Sequence, residues 1–434
     1  MRHTLLQESP REGAAVLLAG HATQNNDTAL LVREVIPVPT EAYMVQKPTR
    51  LEIQPAFLAP LIKRARNEGW SIILTHSHPF SSGADFSLAD DEGEALMMPT
   101  LFARASNRPH GALVIGQTGF SARIRYAPDS CHRVTWIHEV GRNFLRHGAH
   151  SDGQEIKELD DRSVRAFGVA GQTLLRGLRI AIVGLGGTGS IVTEELAHLG
   201  VGELILMDPD DVEESNLNRL VGSSHPDIGK PKVDVAAALV RRIRPNIGVT
   251  AIRGSAVVRS EAKELLTADL ILCCTDSQGS RTVLNQIAYQ YYIPTIDLGV
   301  RIDATDDHVT TMVGRVQLLA PGLSCLVCQG LLDSEAVRRD LLSDYERRLD
   351  PYIVGAVEPQ PAVISLNGVV ASLAVTMLLA TVTGISVEAR HQVYLANRGT
   401  VRAIVSSPLE NCIVCSNRGA LGRGDNWPLP WRMV

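Results

Sequence analysis

Between Arg179 and Ala197 the chain reads RIAIVGLGGTGSIVTEELA. An apolar strand-like run meets Gly184, Gly186, Gly187 and Gly189, and helical spacing then continues over Thr188–Leu199. Few folds accept that junction. Glycines permit a tight turn and close backbone approach, and the helix that follows offers unpaired N–H groups to an anion. Strand and helix patterns keep alternating. Leu178–Val183, Glu203–Asp208, Val249–Ile252, Leu270–Cys274 and Thr295–Leu298 read as strands, and Lys232–Ile243 as a helix. That order predicts an α/β fold with a doubly wound, Rossmann-like sheet. By itself the glycine pattern most often signals a dinucleotide, so a dehydrogenase is the first reading. Asp208, at the end of ELILMD, suits a ribose hydroxyl in either case.

The next residues move the reading away from a dehydrogenase. Asp208–Leu220 is DPDDVEESNLNRL. A site that cleaves a nucleoside triphosphate has work for such a cluster. Asp210 can help hold Mg2+, Asn216 can hydrogen-bond phosphate, and Arg219 and Lys232 can neutralise charge on departing pyrophosphate. Farther on, LILCCTDS ends in Asp276, where an open α/β sheet presents ligand-binding groups. These elements together resemble the ThiF family of adenylating domains over 162–415. The matching pieces are GLGGTG, D-x-D-x-V-x-x-S-N-L-x-R, Gly229–Lys232, Cys274–Asp276 and two cysteine pairs. The resemblance implies adenylation of a C-terminal glycine carboxylate on a ubiquitin-like protein. Asp208 would sit on the ribose and Asp276 on Mg2+ and the reacting phosphate. Asn216, Arg219 and Lys232 would contact phosphates. Arg162–Gln172 resembles the segment whose second arginine, here Arg165, enters the partner subunit's ATP site, which implies a homodimer.

Cys325-Leu-Val-Cys328 and Cys412-Ile-Val-Cys415 can each give two thiolates to one tetrahedral Zn2+. One pair alone could be a redox dithiol; two pairs favour a structural four-cysteine site. The region 350–366, where relatives carry a catalytic cysteine, has none. The adenylate is therefore expected to pass to a separate conjugating enzyme, a sulfur donor or an amine.

The N-terminal stretch, 1–128, has a different texture. Pro10–Gly20 suggests a helix start running into a strand. Ala29–Val38 and Ser71–Thr75 read as strands, Pro55–Glu68 as a helix, and Gly111–Ile115 with Phe120–Tyr126 as a hairpin. Leu74–Gly93 is LTHSHPFSSGADFSLADDEG. His76 and His78 alternate along a strand and share a face. Two imidazoles and a carboxylate leave a fourth position open on a metal, the pattern of a catalytic rather than a structural site. Two surface histidines are the plain alternative, but Pro79 and Ser87-x-x-Asp90 add context. This segment resembles the JAMM/MPN metalloprotease family, an α+β, cytidine-deaminase-like fold. The resemblance implies His76, His78 and Asp90 as zinc ligands, Ser87 at the oxyanion, and Glu12 as general acid/base with Glu8 as runner-up.

A connector, 129–161, is expected to be polar, with a helix over Trp136–Arg146. A tail, 416–434, holds Trp427 and Trp431 and is expected to dock. Lys+Arg number 42 against Asp+Glu 47, a net of −5, which excludes a dedicated nucleic-acid binder. The longest apolar run, near Val369–Val382, is interrupted by Ser372, Thr376 and Thr381, and no membrane span is expected. Without a signal-peptide core, a cytoplasmic chain is expected. Together the two resemblances imply a bifunctional enzyme of a bacterial ubiquitin-like pathway. A zinc (iso)peptidase would act at the Gly-Gly tail that an ATP- and Mg2+-dependent domain adenylates. The rivals are trimming and activation of a sulfur-carrier protein for thiocarboxylate formation, and a binding scaffold whose catalysis has decayed.

Overall fold

A computed structural model describes residues 2–25, 27–79, 84–148, 158–305, 308–343, 345–346 and 361–432. Most of the cysteine-free region 350–366 lies outside them. Two compact units divide the chain: residues 1–138, 146–150 and 422–427, and residues 139–145, 151–421 and 428–434.

The first unit is built on β1 (Ala14–Gln24), whose first seven residues are all buried. A strand apolar on both faces belongs in the middle of a sheet. It pairs antiparallel with β2 (Asp27–Pro37) on one side and with β5 (Ser71–Ser77) on the other. β3 (Tyr43–Lys47) and β4 (Arg50–Ile53) form a separate hairpin. β6 (His110–Ile115) lies parallel to β5, and β7 (Phe120–Arg125) and β8 (His132–Arg133) complete the order β2-β1-β5-β6-β7-β8. The helices are α1 (Arg2–Leu6), α2 (Pro55–Glu68) and α3 (Leu88–Arg104). Along β1, Val16 and Leu18 pack on one face against Leu58, Ile62 and Leu101. Ala15, Leu17 and Ala19 pack on the other with Leu113 and Ile115. This two-residue period locks the register.

Two expectations are corrected here. No helix leads into β1: α1 ends at Leu6, and Glu12 and Gly13 are irregular. Over 136–146 the chain forms strands, not a helix: β9 (Trp136–Val140) and β10 (Phe144–Gly148) make a hairpin. Trp, Ile and Val in that run favour strand, and Gly141 supplies the turn. The tail docks, as expected. In the first unit, Gly424 bridges to His21, Thr23 N–H donates to Asp425 at 2.8 Å, and Arg423 lies 4.5 Å over the Trp427 ring. In the second unit, Trp431 packs on the core beside Ile252 and Leu341.

The second unit carries α4 (Asp161–Gly177), β11 (Arg179–Val183), α5 (Gly187–Leu199), β12 (Glu203–Met207), α6 (Lys232–Ile243) and β13 (Gly248–Ile252). There follow α7 (Arg259–Ala262), β14 (Leu270–Cys273), α8 (Gln278–Gln290), β15 (Thr295–Thr305), β16 (His308–Leu319), α9 (Ser334–Leu341), α10 (Ile364–Val382), β17 (His391–Leu395) and β18 (Thr400–Ala403). The sheet order is β13-β12-β11-β14-β15-β16-β17-β18. The first five strands are parallel and the last three antiparallel. Residues of α5, α6 and α10 cover one face, and residues of α7 and α8 the other. α10 is long and apolar enough to cross a membrane, but Leu366, Val370, Ala374 and Leu378 bury it in this core.

Fully buried Asp160 ties the start of α4 to the domain through Arg176 and, at 2.7 Å, Arg244. Removing the shared carboxylate would leave two arginines, each under 15% exposed, without their counter-charge. Asp160→Ala should therefore cost about 3 kcal/mol, read as a lower denaturant midpoint.

Candidate functional site

Strand order reverses between β11 and β14, and ligand crevices of open α/β sheets lie at the carboxyl ends of such strands. Gly184 follows β11 with φ +90°, a conformation that side-chain-bearing residues avoid. A Cβ on Gly189 would lie 1.8 Å from the Gly184 carbonyl oxygen, so the first turn of α5 closes directly on the loop. Gly186 faces open space: a Cβ there would meet nothing within 4 Å. Asp208, at the end of β12, accepts hydrogen bonds from Leu185 N–H at 2.6 Å and Asp210 N–H at 2.9 Å. Burial raises the Asp208 pKa, while the Lys232 charge and these N–H groups oppose the rise. Lys232, at the start of α6, places Nζ 2.8 Å from Asp210 and 3.9 Å from Asp208.

The loop carrying Asn216 and Arg219 is drawn to α5, because Val221 N–H donates to Ser190 Oγ at 3.1 Å. Arg219 passes over the phosphate loop, its Cδ 3.3 Å from where a Gly187 Cβ would be. Asn216 is used differently from the expectation. Its amide oxygen accepts from Glu213 N–H at 3.2 Å and its amide nitrogen donates to Ser215 at 3.3 Å, so it shapes its own turn. Asp276 is exposed at the end of the loop after β14. That loop packs on the glycine turn, with Cys274 N–H donating to the Val183 carbonyl at 2.8 Å. Arg165 does not join this cluster within the chain; it is exposed and bonds Asp161 at 2.8 Å. Cys273 and Cys274 are poor nucleophiles, because burial raises both thiol pKa values.

Three residues here escaped sequence reasoning. Asn367, a buried amide in the first turn of α10, lies against Gly187, 2.1 Å from where a Cβ would sit. Arg281 donates from Nε to the Thr275 carbonyl at 3.0 Å and ion-pairs Asp297, which braces the Asp276 loop. Asp340 accepts from Ser277 Oγ at 2.8 Å and Gly279 N–H at 2.9 Å, capping α8. A lone amide at the start of the mostly apolar helix α10 was the available signal for Asn367. The other two depend on contacts between segments distant in sequence.

Cys325, Cys328, Cys412 and Cys415 converge, with Sγ–Sγ separations of 3.6, 3.5 and 3.3 Å and no disulfide. Tetrahedral zinc with bonds of about 2.3 Å needs sulfurs roughly 3.8 Å apart, so the set fits a closed metal site.

A family model described as "ThiF family" matches residues 160–412. The chain belongs to the ThiF family. Molybdopterin-synthase adenylyltransferase of Salmonella typhimurium is 39% identical over 148 residues, 34% of this chain and 59% of that protein. SAMP-activating enzyme E1 of Haloferax volcanii is 36% identical over 130 residues, 30% of this chain and 48% of that protein. Adenylyltransferase and sulfurtransferase UBA4 of Yarrowia lipolytica is 37% identical over 137 residues, 31% of this chain and 33% of that protein. The chain thus spans well under two thirds of the length of these relatives. All of the ThiF match lies from residue 160 onward, so the first unit must be read from its own residues.

In the first unit, β5 delivers His76, and His78 follows it, continuing the ladder through His78 N–H to Ile115 O at 2.9 Å. Their Nε2 atoms are 3.1 Å apart. Asp90, in the first turn of α3, lies 2.9 Å from His76 Nε2 and 3.4 Å from His78 Nε2. Zinc bonds of about 2.05 Å in tetrahedral array imply donors roughly 3.3 Å apart, so this triangle also fits a metal. Burial would raise the Asp90 pKa, but hydrogen bonds from His76 and His78 hold it well below the usual carboxylate range. The same Asp90 hydrogen bond raises His78. Glu12 is 4.0 Å from His78; burial raises its pKa, against the pull of both histidines. Glu8 is engaged elsewhere, 3.4 Å from Arg11 and from Gln46. Ser87, expected at an oxyanion, caps α3 in the structure, accepting from Asp90 N–H and donating its hydroxyl to Asp90 Oδ2 at 2.8 Å, so it orients Asp90.

Gly189→Ala should force the turn and α5 apart. We expect a loss of about 1–3 kcal/mol in stability, measured by denaturant titration, because a methyl group has no room beside the Gly184 carbonyl.

Proposed function

We propose that the ThiF unit is an adenylyltransferase that uses ATP to activate the C-terminal carboxylate of a small carrier protein. The observation that carries this is the meeting of Gly186, Asp208, Asp210, Arg219 and Lys232 around one helix N-terminus, with Asp276 on the loop packed against the same turn. A helix N-terminus and two cations suit a triphosphate. The carrier carboxylate oxygen would attack the α-phosphorus, forming the acyl–phosphate bond as the bond to pyrophosphate breaks. Lys232 and Arg219 would meet the charge gathering on pyrophosphate. Asp208 would orient the ribose. Mg2+, held by Asp276 and Asp210, would supply charge neutralisation on the phosphates. Arg165, solvent-exposed on α4 in an ion pair with Asp161, would serve a neighbouring subunit's site in a homodimer.

Sulfur-carrier activation is the better supported destination. Two relatives are named for molybdopterin synthase and for sulfurtransferase, whereas the archaeal relative is named as an E1 enzyme. ATP–pyrophosphate exchange with a carrier ending in Gly-Gly tests the activity. Asp276→Ala or Lys232→Ala should lower exchange by about 100-fold or more. Equal exchange in wild type and variants would sink the reading. Thiocarboxylate formation with added sulfide, read by mass, would select the sulfur branch over conjugation.

A second reading concerns the first unit and rests on the donor triangle with Glu12 beside it. It resembles the JAMM/MPN centre, and we propose a zinc-dependent hydrolase that acts at the same carrier tail. His76, His78 and Asp90 would hold the metal, which would supply a water acidified toward neutrality. Glu12 would hold or move the proton at its carboxylate, and Ser87 would keep Asp90 in place. Zinc competes with a proton for His78, whose pKa stands above its ordinary value. Affinity should therefore fall as the solution is acidified. Chelator competition should count two zinc equivalents per chain, and His76→Ala should abolish only the one held by the first unit. One equivalent in wild type would remove the hydrolytic reading.

A further inference from the structure

Glu12 lies just ahead of β1, yet the backbone around it is pinned at every polar group. Glu12 N–H donates to the Lys47 carbonyl at 3.3 Å, and the Glu12 carbonyl accepts from Gln46 Nε2 at 2.9 Å. Gly13 N–H donates to Ser77 Oγ at 2.9 Å, and the Gly13 carbonyl accepts from Ser77 N–H at 2.9 Å. Ala14 N–H donates to the Tyr43 phenol oxygen at 2.9 Å, and the Ala14 carbonyl accepts from Val38 N–H at 2.9 Å. Buried backbone groups must find partners, but at a strand start other strands usually supply them. Here side chains do half of it. Two come from the β3–β4 hairpin and the third from between the two histidines. Gly13 leaves no slack, since a Cβ there would lie 2.6 Å from the Leu5 carbonyl oxygen, which itself accepts from Ser77 Oγ at 3.1 Å.

We propose that Tyr43, Gln46 and Ser77 are positioning residues that fix the Glu12 carboxylate beside His78, so that the β3–β4 hairpin is part of the hydrolytic machinery. The proposal rests on the hydrolytic reading of the first unit. Proton transfer is sensitive to distance, and a carboxylate on an untethered strand end would sample many placements. Ser77 serves both sides at once: its backbone continues β5 between the metal-facing histidines, and its hydroxyl holds Gly13. The Gln46 amide also lies 3.4 Å from Glu8, which places that second glutamate on the outer side of the clamp.

The test uses the full chain loaded with zinc and a carrier protein extended by a short peptide after Gly-Gly. Tyr43→Phe keeps the ring and deletes only the acceptor. We expect kcat to fall about 10- to 100-fold, with KM and zinc affinity within about twofold of wild type. In the metal-free protein, Ala14 amide exchange should quicken while Leu113, in β6 on the far side of β5, stays protected. Gln46→Ala should repeat the pattern and serves if Tyr43→Phe does not fold. A merely structural role predicts something else. Ala14 is paired in register with His76, so general loosening would weaken zinc binding and speed exchange throughout β5 and β6. That outcome, or unchanged kcat in both variants while Glu12→Gln is inactive, overturns the clamp and leaves the hydrolytic reading standing. A Glu12→Gln variant as active as wild type overturns both.

Discussion

The ThiF unit depends on one close approach of backbone to backbone. The first turn of α5 rests on the turn after β11, where only glycine fits at Gly184 and Gly189. That contact aims the free N–H groups of a helix at a crevice instead of burying them. Everything charged arranges itself around it. Asp208 spends both oxygens on N–H groups of the two neighbouring loops, Lys232 sits between Asp208 and Asp210, and the Cys274–Asp276 loop closes the far side. The residues that brace the site come from far along the chain: Asn367 presses on Gly187, and Arg281 holds the Thr275 carbonyl.

The first unit solves a different problem with a strand. β1 is apolar on both faces, so its register is firmly set, and with it the relation between Glu12 at its start and His76 opposite Ala14. Asp90 reaches the same point from the capped N-terminus of α3, and the serine that caps the helix also orients Asp90. Three donors spaced for a metal, with a buried carboxyl group just outside them, form a coherent chemical unit.

Much of this was legible in the sequence because it is local. The period of apolar residues gave α2 and α6 their limits, Pro55–Glu68 and Lys232–Ile243, and Gly69 at φ +81° ends α2. The metal-spaced residues were legible too, since His76, His78 and both cysteine pairs are close in sequence to their partners. The Trp136–Val140 and Phe144–Gly148 hairpin was misread as a helix because a short mixed run carries no decisive period. Ser87 was assigned by motif to an oxyanion and Asn216 to phosphate; in the structure each side chain bonds within its own turn.

The sequence alone determined the alternation of strands and helices, the glycine turn and the inventory of donors, because chain chemistry sets these within a few residues. Only the tertiary structure decided which distant groups meet. It brought Tyr43 and Gln46 to the backbone around Glu12, and Arg281 and Asn367 to the loops around the glycine turn. The reason is physical: such contacts follow from sheet order and helix packing, which depend on burying the whole apolar pattern at once.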